Sequence, residues 1–296
     1  MFNDLYMRCT VNAVVGHERD AGWVELSPAQ HKKKVMVVGG GPGGMEAALV
    51  ASLRGHDVTL YEREQELGGQ LQIAAVPPGK AKLNYIMEYY PNQLSKAGVK
   101  VQLGKAVDGK LVQEVKPDVL IIATGGEPLV PDIPCSWGKN TLIYRDVLNG
   151  KAKLPSGEKM VVAGGGTVGC ETSLYLAERG KKVTIVEMLE ELAIDEEPIT
   201  RFDLLSHQLP EAGIQSFTKR TITEITDKGV TVLDPMGRKS VIEADGVVVA
   251  LGARSAETLE AQVRDTVPEV YIIGDSQKTR KIIDAVYEGA AVARLI

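Results

Sequence analysis

Two glutamates, Glu62 and Glu187, each stand 18 residues beyond the last glycine of a glycine-dense turn. The turns read Gly39-Gly40-Gly41-Pro42-Gly43-Gly44 and Gly164-Gly165-Gly166-Thr167-Val168-Gly169. Glycines at the first, third and sixth places of such a run have separate mechanical uses. The first permits a tight turn off a strand, the second lets backbone approach a pyrophosphate, and the third lets a helix pack against the sheet. Free N–H groups and the positive end of that helix then face phosphates. A carboxylate at the end of the next strand accepts hydrogen bonds from ribose hydroxyls. The chemistry implied is the holding of a dinucleotide. A lone motif of this kind also serves ordinary turns, but here strand, helix and acid accompany it, and it occurs twice.

The elements that must position these residues repeat as well. Residues 37–62 align without gaps on residues 162–187, at an offset of 125, with twelve of 26 positions identical. That period is far too long for a solenoid. In each copy a short apolar run, Val35–Val38 or Met160–Ala163, has the length of a buried parallel strand. A helix follows, about Gly44–Arg54 or Gly169–Arg179, stopping at Gly55 or Gly180. A second strand, Asp57–Tyr61 or Lys182–Val186, ends at the glutamate. Each copy therefore reads as a βαβ unit with a right-handed crossover.

Downstream the copies diverge. After Glu62 come Arg63 and then Leu67-Gly68-Gly69-Gln70-Leu71, whereas Glu187 is followed by Met188 and Leu189-Glu190-Glu191-Leu192, with no glycine pair. The glycine pair gives a second point of close backbone approach, as a longer ligand with a ribityl chain requires. A strand at Asp118–Thr124 runs through Ala123-Thr124-Gly125, and another at Glu269–Ile273 ends in Gly274-Asp275, before a helix from about Thr279 to Leu295. A glycine–acid pair at a strand end can bind ribityl hydroxyls, and the next helix's N-terminus stabilises charge on a reduced flavin. The strand Gly246–Leu251, ending at Gly252, mirrors the Ala123–Gly125 turn. The first copy thus assigns Gly39, Gly41, Pro42, Gly43, Gly44, Glu62, Arg63, Gly69, Gln70, Ala123, Thr124, Gly125, Gly274 and Asp275 to FAD. The second assigns Gly164, Gly166, Thr167, Val168, Gly169, Glu187 and Gly252 to NAD. No arginine follows Glu187 to meet a 2′-phosphate, and its carboxylate would repel one by on the order of 4 kcal/mol at 4 Å and an effective dielectric near 20. NADH is expected over NADPH.

Composition narrows the class. The 296 residues are 44% hydrophobic and 25% charged, with a formal charge of −5. That balance suits a folded soluble protein and argues against nucleic acid or an anionic membrane as partner. Val35–Leu53 is nearly free of charge, but its five glycines and Pro42 break it as a spanning helix. Residues 1–15 hold no apolar core of a secretory signal. Cys9, Cys135 and Cys170 are too scattered for a disulfide framework or a CxxC zinc site, and the four histidines show no metal spacing. A cytoplasmic protein without a metal is expected. Cys170, at the start of the second helix, matches Met45 of the first copy, which favours plain packing over reactivity.

With GGGPGG, LGGQL, ATGG, GGGTVG, ALG and IIGD in this order, the chain resembles two-dinucleotide-binding flavoproteins of the glutathione reductase type. Within them it resembles the C-terminal FAD/NAD(H) half of the NADH:flavin oxidoreductase group, relatives of 2,4-dienoyl-CoA reductase, 2-enoate reductase and trimethylamine dehydrogenase. The similarity runs from Cys9 to Ile296, through the closing RKIIDAVYEGAAVARLI. It implies an α/β fold of two Rossmann-like domains, the second inserted in the first. The expected boundaries are 34–128 plus 245–296 for FAD, 129–244 for NAD(H), and 1–33 as a linker remnant, draped over the surface or poorly ordered. It also implies an N-terminal FMN barrel and a [4Fe–4S] cluster as electron acceptors, carried by another half or a separate subunit. Cys9 stands where the group's last cluster cysteine would be, and the other three ligands would lie upstream, so no iron–sulfur cluster is expected in this chain. The reaction implied is hydride transfer from NADH to FAD, with no side chain as a catalytic acid or base. The alternative is a non-catalytic ADP-binding structural domain, as in trimethylamine dehydrogenase.

Overall fold

The computed structural model describes residues 7–134, 140–256, 259–264 and 266–296. Ten strands build two parallel sheets: β1 (Lys34–Val38), β2 (Asp57–Tyr61), β3 (Lys100–Gln102), β4 (Val119–Ile122), β5 (Thr141–Ile143), β6 (Lys159–Ala163), β7 (Lys182–Val186), β8 (Gln215–Phe217), β9 (Gly246–Val249) and β10 (Glu269–Ile272). The helices that matter below are α1 (Pro42–Leu53), α2 (Asn84–Lys96), α3 (Thr167–Ala177) and α4 (Ile282–Leu295). The chain divides into two compact units. One comprises residues up to Gln72, Lys82–Glu127 and Arg254–Ile296; the other comprises Ile73–Ala81 and Pro128–Ala253.

In the first unit the strand order is β10-β4-β1-β2-β3. All pairings are parallel, with Val35 opposite Val58 and Val119. The central strands are buried on both faces, as parallel sheets covered by helices must be. Alternation then sends Val35 and Val37 to one apolar layer, with Met45, Ala47, Tyr90 and Leu94 of α1 and α2. Met36 and Val38 go to the opposite layer, with Leu120, Val112 and Val263. Helix α1 is buried for most of its length, which its small side chains permit. Its partner α4 comes very close: a Cβ on Gly289 would lie 2.3 Å from the Gly43 carbonyl oxygen. Arg54, just past the end of α1, donates from Nη1 to the carbonyls of Ala293 and Ile296, capping α4 where the helix dipole favours a cation.

Residues between Arg8 and Trp23 contact α4. Arg8 pairs with Asp284 at 3.0 Å, and Trp23 stacks on both His17 and Tyr287, with ring centroids 4.3 and 5.1 Å away. The Arg294 guanidinium covers Trp23 at 4.6 Å.

The second unit repeats the plan, with strand order β5-β9-β6-β7-β8. Met160 and Val162 face α3 and the Tyr144–Leu148 helix. Val161 and Ala163 face a three-stranded antiparallel sheet of Thr221–Thr226, Gly229–Leu233 and Lys239–Glu243. Ile73 packs into the first of these layers, so the excursion 73–81, which the sequence pattern places in the first domain, contributes to the second unit's core. The observed helices α1 and α3 begin two residues earlier than the sequence suggests, immediately after Gly41 and Gly166. The strand after residue 118 stops at Ile122, which leaves Ala123–Gly125 as a free turn. The closing helix starts at Ile282 rather than near Thr279.

Candidate functional site

Each unit carries one candidate site, at the C-terminal edge of its parallel sheet. In the first, Gly39 has φ +108, and a Cβ there would lie 2.2 Å from the Ala123 carbonyl oxygen. Gly44 is equally constrained, because a Cβ would meet the Gly39 carbonyl oxygen at 1.9 Å. The first and third glycines are therefore demanded by the protein itself. Gly41 differs. It is the N-cap of α1 with φ −74°, a conformation open to any residue, and nothing lies within 4 Å of a Cβ placed on it. Neither backbone strain nor packing requires glycine there. What a side chain would fill is the space in front of the α1 N-terminus, where a pyrophosphate is expected. Pro42 is the first residue of α1, where its missing N–H costs nothing, and Gly43 is turned to α4, with Ala285 O only 2.9 Å from the place a Cβ would take.

Glu62 is buried and fixes the loop. Its Oε2 accepts from the Gly40 N–H at 2.6 Å and its Oε1 from the Glu64 N–H at 2.8 Å. A carboxylate offers about four acceptor positions, so two are left for ribose hydroxyls. The Arg63 side chain is exposed and lies 3.6 Å from the Glu64 carboxylate. The Gly68-Gly69 corner closes on the motif. Gly68 N–H donates to Gly40 O at 2.8 Å, Gly69 has φ +53, and a Cβ on Gly69 would sit 3.1 Å from Gly41 Cα. Gln70 Nε2 donates to Asp275 Oδ2 at 2.9 Å, so this corner and the Gly274-Asp275 turn are brought together.

Two residues missed by sequence reasoning complete that region. The Ser276 hydroxyl accepts from Gly125 N–H at 2.8 Å and lies 3.2 Å from Thr124 Oγ1, joining the turns after β4 and β10. Glu288 of α4 accepts from Gly274 N–H at 2.7 Å and pairs with Arg280. The signal available for Ser276 was its place beside Asp275; Glu288, fourteen residues on, left none.

The second site repeats the geometry nearly bond for bond. Gly164 has φ +110 and faces the Ala250 carbonyl, and a Cβ on Gly169 would lie 2.0 Å from Gly164 O. Gly166, at φ −66°, has only ordinary contacts, the nearest 3.6 Å away, so glycine is again unexplained by the protein. Buried Glu187 accepts from Gly165 N–H at 2.6 Å and Leu189 N–H at 2.8 Å. Thr167 opens α3, and its buried hydroxyl has no partner. An orphaned hydroxyl at a helix N-terminus is what a bound phosphate would satisfy. Val168 is exposed, and Gly252 sits at φ +96 with open space around it; Gly125 shares the positive φ but has Gln70 Nε2 3.8 Å from the place of a Cβ.

The match also extends further than the sequence alignment. Ala193 stands where Gly68 does, donating its N–H to Gly165 O at 2.7 Å, with φ +48 despite its Cβ. Leu192 covers Gly165 as Leu67 covers Gly40. The divergence begins one residue later, with Ile194 and Asp195 in place of Gly69 and Gln70.

Cys170 is fully buried and its thiol is pushed up to about 12, chiefly by burial and then by nearby acids, so it packs rather than reacts. Cys135 lies outside the described residues. Glu171, one turn into α3, is held above the usual carboxylate range by burial, opposed by Lys80 at 2.6 Å. Among the described residues no cluster of His, Cys, Asp or Glu could hold a metal ion, and no helix is long and apolar enough to cross a membrane.

Comparison with known proteins gives the family. Residues 33–291 match the family of pyridine nucleotide-disulphide oxidoreductases. The chain is 46% identical over 99% of its length to an NADH oxidase of Thermoanaerobacter brockii and 37% identical to a bilirubin reductase of Mediterraneibacter gnavus, and covers 45% of each. Among solved structures, a 2-naphthoyl-CoA reductase superposes with a TM-score of 0.92 at 38% identity, over 99% of this chain and 44% of that one. The chain thus spans a little under half the length of these relatives. It belongs to the pyridine nucleotide-disulphide oxidoreductase family and forms an oxidoreductase domain of it, built for FAD and a nicotinamide dinucleotide.

Proposed function

We propose that this chain is the NADH:flavin oxidoreductase part of a longer cytoplasmic enzyme. In this reading the second unit holds NADH, the first holds FAD, and an FMN- and iron–sulfur-bearing half, in the same protein or a separate subunit, receives the electrons. The observation that carries it is the pair of N-cap glycines, Gly41 and Gly166. At each, neither backbone conformation nor a neighbouring atom requires glycine.

The chemistry a bound flavin supplies is acceptance of a hydride and release of single electrons. This chain's residues bind, orient and shield. Glu62 and Glu187, each clamped by two amides, present fixed acceptors to a ribose. The corner of Gly69 and Gln70, with Asp275 and Ser276, supports assigning the longer ribityl-bearing nucleotide to the first unit. Ile194 and Asp195 at the matching corner of the second unit support a shorter diphosphate ligand there. The anionic Glu187 favours NADH over NADPH.

The test is an absorption spectrum of the purified chain, reconstituted with FAD, followed by anaerobic titration with NADH and NADPH. The expected result is stoichiometric flavin whose visible band bleaches with NADH at far lower concentration than with NADPH. A protein that takes up ADP but no flavin would make the chain a structural nucleotide platform and overturn the reading.

A further inference from the structure

The N-terminus of α3 is occupied by the protein's own carboxylate. Asp195 Oδ1 accepts the Thr167 N–H at 2.9 Å. Thr167 is the first residue of an eleven-residue helix whose N-cap, Gly166, has no side chain to do this work. A remote aspartate, 28 residues along the chain, therefore supplies the cap.

The first copy cannot make this contact from either side. The residue matching Thr167 is Pro42, which has no N–H, and the residue matching Asp195 is Gln70, whose amide is committed to Asp275. The cap is thus particular to the second unit, and it uses the amide that a dinucleotide's pyrophosphate would seek.

The segment carrying Asp195 is built to release it. Leu192 and Ala193 are buried and anchored, Ala193 through its bond to Gly165 O. From Ile194 on the chain is largely exposed, and Asp195 itself is exposed. Ala193 sits at φ +48, a conformation L-residues rarely adopt, at the junction between the fixed and exposed parts. Glu196 and Glu197 follow, so the same short segment adds further negative charge beside the helix.

We propose that Asp195 is a gate on the NADH site: its carboxylate competes with the dinucleotide's pyrophosphate for the α3 N-terminus, and binding displaces the 194–197 segment about Ala193. This rests on the second unit being the NADH site. Asp195 touches the glycine-rich cradle through the Thr167 N–H, so it acts on affinity.

The experiment is calorimetric titration of the FAD-reconstituted chain with ADP-ribose, which carries the pyrophosphate and lacks the nicotinamide. Adenosine serves as the phosphate-free comparison. Asp195→Ala is expected to tighten ADP-ribose about tenfold, the size of one lost capping contact together with one removed like charge. Asp195→Asn, which keeps a neutral cap, is expected to tighten it by an intermediate factor, and adenosine affinity should change in neither variant. Thermal midpoints of the variants without nucleotide report whether each is folded. ADP-ribose affinity unchanged or weakened in both folded variants overturns the gate while leaving the site assignment intact. No ADP-ribose binding in wild type or variants overturns the site assignment, and the gate with it.

Discussion

Replacing Gly41 by alanine separates what the fold needs from what the ligand needs. A Cβ at this position meets no protein atom within 4 Å, and φ −74° is ordinary for alanine. The cost to the free protein is small: alanine is a poorer N-cap than glycine, but it also restricts the unfolded chain, and the two effects nearly cancel, leaving about 1 kcal/mol or less. Flavin affinity responds differently. A methyl group set between the backbone and an incoming pyrophosphate imposes an overpacking cost of about 1–3 kcal/mol, or roughly five- to 150-fold in affinity. Gly44→Ala is the opposite case, since its Cβ falls 1.9 Å from the Gly39 carbonyl oxygen and the backbone must move. Its cost falls on the fold itself, at about 3 kcal/mol or more. The assay is thermal and urea denaturation of both variants stripped of flavin, beside flavin titration of each. Gly41→Ala should denature like wild type and bind FAD weakly; Gly44→Ala should denature early. If Gly41→Ala loses as much stability as Gly44→Ala, or binds FAD as wild type does, the inference from empty space to ligand is wrong.

Three further outcomes are expected. Glu46 of α1, buried and accepting from the Tyr90 hydroxyl at 3.1 Å, is pushed up to about 7 by burial, against the pull of Tyr90 and Arg294. The folded protein then holds this proton more tightly than the unfolded chain. Its contribution to stability is whole below pH about 4.5 and is lost as pH rises through about 7, on the order of 3 kcal/mol in all. Glu46→Gln should flatten urea stability between pH 5 and pH 8, and an unchanged profile would contradict the assignment. Cys170 should resist iodoacetamide at pH 8 in the folded protein and react once urea is added, as peptide mass spectrometry can show; ready labelling in the native state would refute its packing role. Glu187→Ala should weaken NADH binding and narrow its advantage over NADPH while flavin content holds; a fall in flavin instead would reverse the two sites.

Much of this arrangement was legible in the sequence because identical residues perform identical mechanical tasks twice. The strands, helices and glutamate positions of both copies follow from glycine spacing and apolar runs. The extension of the repeat through Leu192-Ala193 was not legible, since alanine stands at a positive φ where a glycine would have announced the turn. Asp195 was hidden for a related reason: an exposed acid in the run Asp195-Glu196-Glu197 looks like solvated surface until the loop is seen folded back on Thr167. Arg63, by contrast, was singled out by its place after Glu62, and its exposed side chain makes its salt bridge only with the neighbouring Glu64. The helix starts shifted because Pro42 and Thr167 already have helical backbone, which glycine-rich composition conceals.

The excursion of Ile73–Ala81 bears on how this protein can be taken apart. Because nine residues leave the first unit's stretch of sequence to seal the second unit's core, the polypeptide passes between units four times rather than twice. A fragment cut at 128 and 253 would lack the wall supplied by Ile73 and the ammonium that Lys80 sets against Glu171. Neither half is thus a detachable cassette, and a graft of the nicotinamide module onto another flavoprotein would have to carry this short borrowed strip along with it.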